Sequence, residues 1–266
     1  MTWNVLKWIA IVSMLIDHTA AVLISYSPPL LFGLGLYDMM RLVGRMAFPI
    51  FAYGIAQGCV YTHDARRYLG RLLLFAVVSE VPYQLALYQT FPPHFATSNV
   101  FFTLFAGAAC CEVVKFCKSK GKRWAWVAVV PVAAIVVLCE MRHTDYGGFG
   151  VLCILLPYLF WKNKPARLVS FASVVAFYYI VVANFYGFSS ALAWVGDSYV
   201  FQYMVQQTVF ALLGVGLVAL YNGQPGSKKG KWFFYLFYPA HLVLLFAVDW
   251  ALNGPTFQSW AQLMGG

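Results

Sequence analysis

Apolar residues run along this chain in nine stretches, at about 3–25, 39–60, 68–88, 99–117, 124–141, 148–161, 166–186, 200–221 and 232–252. Each is closed by turn-forming or charged residues. Most reach the roughly 20 residues that an α-helix needs to cross the hydrocarbon core of a bilayer. Lipid offers no partner to a backbone N–H or C=O, so each stretch is expected to be helical. The stretch at 148–161 is short and could be tilted, broken or re-entrant, which leaves eight to ten crossings open. The pattern predicts an all-α, polytopic integral membrane protein with about nine transmembrane helices and a single membrane domain over 1–266.

Composition supports this reading. Hydrophobic residues make up 62% of the chain and charged residues 10%, with a mean hydropathy of +0.71, whereas an ordinary soluble domain carries about a quarter charged residues. The opening run from Trp3 to Ile24 is too long for the apolar core of a signal peptide. It contains Asp17 and His18 and lacks a small-residue cleavage site, so it reads as a permanent first span. No internal repeat of the kind that marks many secondary transporters is visible.

Charge sets the orientation. All but three of the 18 Lys and Arg residues fall at Lys7 or in alternate connectors: Arg66 to Arg71, Lys115 to Arg123, Lys162 to Arg167, and Lys228 to Lys231. The positive-inside rule then places the amino terminus in the cytoplasm and, with an odd span count, the carboxy terminus outside. Arg41, Arg45 and Arg142 are the exceptions, at or just inside the opposite ends of spans. The net charge of +9 does not point to nucleic acid, because the basic residues form short clusters between apolar stretches. The six cysteines show no metal-ligand spacing and read as core packing; no metal is expected.

Ionisable side chains within spans cost roughly 3 kcal/mol each near the bilayer centre, and so point to function. Here they are Asp17, His18, Arg41, Arg45, Glu80, His241 and Asp249, with Glu140, His143 and Asp145 at a membrane edge. The topology puts nearly all of them in the outer half of the membrane, which suggests a polar cavity facing outwards. Asp17 and His18 are adjacent, so their side chains diverge by about 100° on a helix and each needs a partner elsewhere. Arg41 and Arg45 share a face and could meet Asp17 and Glu80, or a ligand's carboxylate, phosphate or oxyanion. His241 lies two residues after Pro239, where a loosened backbone lets a side chain reach a cavity. A pair of histidines at similar depth suits proton transfer. Asn99 and Thr103 are neutral hydrogen-bonding candidates, or a helix cap and an interhelical bond. The turn from Asp145 to Gly150 could bring backbone close to a ligand or simply start a helix.

Several motifs in order resemble one family. They are Leu15-Ile16-Asp17-His18; Arg41-x-x-Gly44-Arg45-x-Ala47-Phe48-Pro49-Ile50-Phe51-Ala52; Asn99-Val100-Phe101-Phe102; Tyr146-Gly147-x-x-Gly150; and Phe233-Phe234-Tyr235-x-Phe237-Tyr238-x-x-His241-Leu242. Together they resemble the TraX family, membrane proteins associated with acetylation of conjugative pilin and placed among transmembrane acyltransferases. The resemblance implies a bacterial inner-membrane enzyme. It would move an acetyl group from cytoplasmic acetyl-CoA to an amine or hydroxyl of pilin, or of another cell-surface molecule, at the outer face.

On that reading His18, Asp17 and His241 are the catalytic candidates. Arg41, Arg45, Glu80, Asn99, Thr103, Tyr146 and Gly147 are the candidates for binding substrate and acyl donor. Lys115 to Arg123 could attract the phosphates of CoA, although orientation alone also accounts for them. Direct transfer and an acetyl-histidine intermediate both fit. The competing readings are a proton-coupled transporter or flippase using the same outer-half polar site, and a non-catalytic assembly factor in which the polar layer cements helices. The sequence leaves open the acceptor, the acting histidine and the oligomeric state.

Overall fold

The structure is a computed structural model that describes residues 1–24, 28–31, 34–89, 97–121, 123–182, 198–224 and 231–254. The orientation-setting residues Lys122, Lys228 and Lys229 lie outside them. The described chain is helical apart from a small antiparallel hairpin, β1 (Pro29–Leu31) with β2 (Leu34–Gly35). The helices are α1 (Trp3–Leu23), α2 (Leu36–Gly44), α3 (Ala47–Tyr61), α4 (Ala65–Tyr83), α5 (Val100–Ser119), α6 (Trp124–Val127), α7 (Val129–Met141), α8 (Gly147–Leu159), α9 (Lys164–Phe177), α10 (Ser198–Ala219) and α11 (Lys231–Asn253). Single π-helical turns extend α4 through Gln84–Tyr88 and α9 through Tyr178–Val182.

Among the described residues, six helices are long and apolar enough to cross a membrane: Trp3–Leu23, Ala65–Tyr88, Val100–Ser119, Lys164–Val181, Phe201–Ala219 and Trp232–Asn253. They coincide with six of the nine expected stretches. The other three are not single long helices. The stretch at 39–60 is divided between α2 and α3, that at 124–141 between α6 and α7, and that at 148–161 is the 13-residue α8. At 1.5 Å per residue α8 covers about 20 Å, short of the roughly 30 Å hydrocarbon core.

Proline accounts for the first of these breaks. Pro49 has no N–H to offer the carbonyl of Arg45 four residues earlier, and its ring would crowd that carbonyl in a continuous helix. The helix therefore stops at Gly44 and restarts at Ala47, which puts Pro49 in the tolerated first turn. Asn99, Asp64 and Asn163 start α5, α4 and α9 by accepting backbone N–H groups on their side-chain oxygens.

α5 is the central element. Over its membrane-length window 56% is buried, against 22% for Lys164–Val181, and it packs on α3, α4, α7 and α8. α1 lies against α2, α3 and α11, while α10 lies against α3 and α9. All six cysteines are buried and free. The outer faces carry large apolar side chains such as Val130, 73% exposed, and Leu244, 63% exposed, a surface suited to lipid. The chain is a multi-pass membrane protein.

Candidate functional site

Two consecutive residues near the end of α1 anchor two separate polar contacts. Asp17 faces the α2 side: its Oδ2 accepts from Arg41 Nη1 at 2.7 Å, and its Oδ1 lies 3.5 Å from Arg45 Nη2. The second distance is an ion pair too long for a strong hydrogen bond. Arg45 also donates from Nε to the carbonyl of Arg41 at 3.2 Å, which ties the two arginines together. Gly44 is what allows this approach. A Cβ at position 44 would fall on the Asp17 side chain.

His18 turns the other way, to α11. Its Nδ1 is 2.6 Å from Nε2 of His241. The rings are nearly coplanar, at 4°, with centroids 4.9 Å apart. His241 Nδ1 sits 2.7 Å from the carbonyl of Phe237. A carbonyl only accepts, so Nδ1 of His241 carries the proton, and in the neutral ring its Nε2 is bare. His18 Nδ1 is then the donor. The neutral pair is left with one unprotonated nitrogen that makes no hydrogen bond among the described residues, Nε2 of His18. Tyr238, buried on α11 three residues before His241, sets its ring edge-on to both imidazoles, with centroids 5.9 Å from His18 and 5.7 Å from His241.

The loop before α8 closes the Asp17 side of this centre. Tyr146 adopts a left-handed backbone, φ 66°, and its ring lies flat on Phe48, with centroids 3.6 Å apart. Tyr146, Tyr179 and Tyr203 are electrostatic neighbours of Arg45. Asp145, between α7 and α8, has its carboxyl pushed up to about 6 by burial, with Arg45 pulling the other way. Its backbone is pinned: the N–H donates to the carbonyl of Ser98 at 2.8 Å, and its carbonyl accepts from the Thr103 hydroxyl. Gly147 has φ +51°, and a Cβ there would meet the Glu140 carboxylate, which accepts from the Gly148 N–H at 2.8 Å.

A third polar group is a closed clamp. Glu80 Oε2 accepts from Asn99 Nδ2 at 2.6 Å and from the Asn99 N–H at 3.1 Å, and Oε1 accepts from Gln84 Nε2 at 2.9 Å. The other Asn99 amide hydrogen goes to the carbonyl of Ala76 at 2.8 Å. Both Asn99 side-chain donors are therefore committed, as is the Thr103 hydroxyl.

The ten residues expected from sequence thus divide. Asp17, Arg41, Arg45 and Tyr146 come together beside α1, and His18, which meets His241, has both arginines as electrostatic neighbours. Glu80, Asn99, Thr103 and Gly147 are engaged in holding α4, α5 and the turn before α8. Sequence reasoning does not single out Gln84 or Tyr179, and reaches Tyr238 only as part of the Phe233 to Leu242 motif, with no role. A polar or aromatic residue in an apolar helix is too common a signal to select them. Asp249 is also paired, to Gln89 at 2.9 Å and Asn253 at 2.7 Å.

The chain is 25% identical over 253 residues to a protein of Dichelobacter nodosus described as "Probable fimbrial assembly protein FimC, serogroup H1", covering 90% of this chain and 92% of that protein. No solved structure matches this chain significantly. The family model described as "TraX protein" matches residues 2–249, a span that takes in both histidines and both arginines of the centre. This chain belongs to the TraX family.

Proposed function

We propose that this protein is a membrane-embedded acyltransferase that uses acetyl-CoA as donor and pilin or another surface molecule as acceptor at the outer face. The observation that carries this reading is the His18–His241 hydrogen bond, because it leaves His18 Nε2 as a base backed by a second imidazole. His18 Nε2 takes the proton of the acceptor's amine or hydroxyl as that group attacks the thioester carbonyl carbon. The resulting imidazolium is held by its Nδ1–H bond to His241. The C–S bond then breaks, and the CoA sulfur leaves and recovers the proton. Arg41 and Arg45, each with donors beyond those used on Asp17, stabilise the oxyanion. The family supports an acyl-transfer reading. The relative's description as a probable fimbrial assembly protein supports a pilin-type acceptor.

The proposal includes nine crossings and a cytoplasmic amino terminus. The α2–α3 pair, the α6–α7 pair and α8 supply the three crossings beyond the six long helices, with the membrane thinned or the helices flanked by neighbours where they are short.

The test is calorimetric titration of the detergent-purified full chain with acetyl-CoA, using CoA and dephospho-CoA as controls, followed by transfer of labelled acetyl to a pilin-derived amine. His18→Gln is expected to keep the fold and donor binding while transfer falls by at least about a hundredfold, the usual contribution of a general base. Saturable binding with transfer insensitive to His18→Gln removes His18 from the mechanism. No binding in a folded sample overturns the acyltransferase reading.

A further inference from the structure

A groove of about 520 Å³ opens on the side of the bundle between α4, α5 and α7. Its walls are apolar along their length, formed by Val77, Phe105, Ala109 and Leu138 among others. Val77 and Leu138 are 59% and 57% exposed, so the groove faces outwards from the bundle. Besides Glu80, the polar lining residues are Ser98, just before α5, and Arg142 and Thr144, just after α7, which the order of the elements puts at one end; Ser98 and Thr144 are bridged through their backbones. From Phe102 to Ala109 the wall on α5 runs two helical turns away from that end, about 10 Å.

Arg142 is the unusual residue. It lies just past the end of α7 and is exposed. Arg41 and Arg45, the other two cations on its side of the membrane by the charge pattern, share Asp17, whereas Arg142 has no carboxylate partner among the described residues. Glu80 lines the groove too, but both of its oxygens are taken by Asn99 and Gln84.

We propose that this groove is a binding site for an anionic glycerophospholipid, with one acyl chain along the α4–α5–α7 walls and the phosphate at Arg142. An apolar slot with a single cation at its membrane-edge end matches the layout of such a lipid, and inside a bilayer lipid is what reaches it. An arginine near the membrane surface favours anionic lipid by about fivefold. The site is independent of the acyl-transfer reading.

The test places the full chain in phosphatidylcholine nanodiscs doped with phosphatidylglycerol that carries a photoactivatable group on its acyl chain. A matched phosphatidylcholine probe serves as control. The anionic probe is expected to label α4, α5 and α7 peptides about fivefold more than the control, and Arg142→Gln to abolish that preference. Ala109→Phe, which fills the groove, should lower labelling by both probes. Arg142 is exposed, so Arg142→Gln tests the site even where Ala109→Phe fails to fold. Equal labelling by the two probes, labelling elsewhere, or a preference that survives Arg142→Gln overturns the proposal.

Discussion

Asp17 and His18 are neighbours in the chain that serve different helices, and the divergence of adjacent side chains on a helix requires it. That much is legible from the sequence. The shared face of Arg41 and Arg45 is legible too, but the sequence leaves Asp17, Glu80 and a ligand anion open as their partner, and the structure pairs them with Asp17 and turns Glu80 to Asn99 and Gln84. The direction of His18 towards His241 is not legible, because it depends on how α1 and α11 pack. Gly44 makes a sharp test: Gly44→Ala pushes a methyl into Asp17, and is expected to destabilise the protein by about 1–3 kcal/mol and weaken donor binding. Thermal unfolding in detergent and calorimetry check both parts. Asp145 offers a test in pH. Its folded-state pKa of about 6 lies above the ordinary value of 3.8, so the fold favours the neutral acid. Its contribution is full below 3.8 and is lost as pH rises through about 6. Asp145→Asn should therefore flatten the fall in melting temperature between about pH 4 and pH 7; an unchanged slope removes Asp145 as the source.

At the scale of elements, backbone chemistry decides more than hydrophobic periodicity. Pro49 divides one expected span into α2 and α3 and frees the backbone beside Arg45. A hydropathy pattern does not register this, because proline in an apolar run barely lowers its mean. The sequence leaves Asn99 open between ligand and cap, and the structure makes it a cap whose amide also binds Glu80. Asn99→Ala removes the cap, worth about 1 kcal/mol, and leaves Glu80 short of a donor at about 1–3 kcal/mol more. The expected result is faster amide exchange in the first turn of α5 with a lower melting temperature, while donor affinity per folded molecule holds. Loss of affinity in a fully folded variant would show that Asn99 serves the binding site as well as the cap.

For the whole molecule, the proposed topology predicts that single cysteines introduced in a cysteine-free background at position 64 or 163 are reached by membrane-impermeant reagents from the cytoplasmic side, and at position 143 from the outside. Labelling of both groups from one face would overturn the nine-crossing arrangement.

The sequence by itself determined the solvent and the element type. An apolar chain with its charge gathered in connectors must live in lipid, and lipid requires helices. It also made the few ionisable residues within apolar stretches stand out, because insertion selects against each buried charge separately. Only the tertiary structure decided which of those polar groups meet. The pairing of His18 with His241, the closure of Asn99 around Glu80 and the isolation of Arg142 depend on distances between helices far apart in sequence. Those distances follow from close packing at positions such as Gly44 and from the break at Pro49, which no count of apolar residues contains.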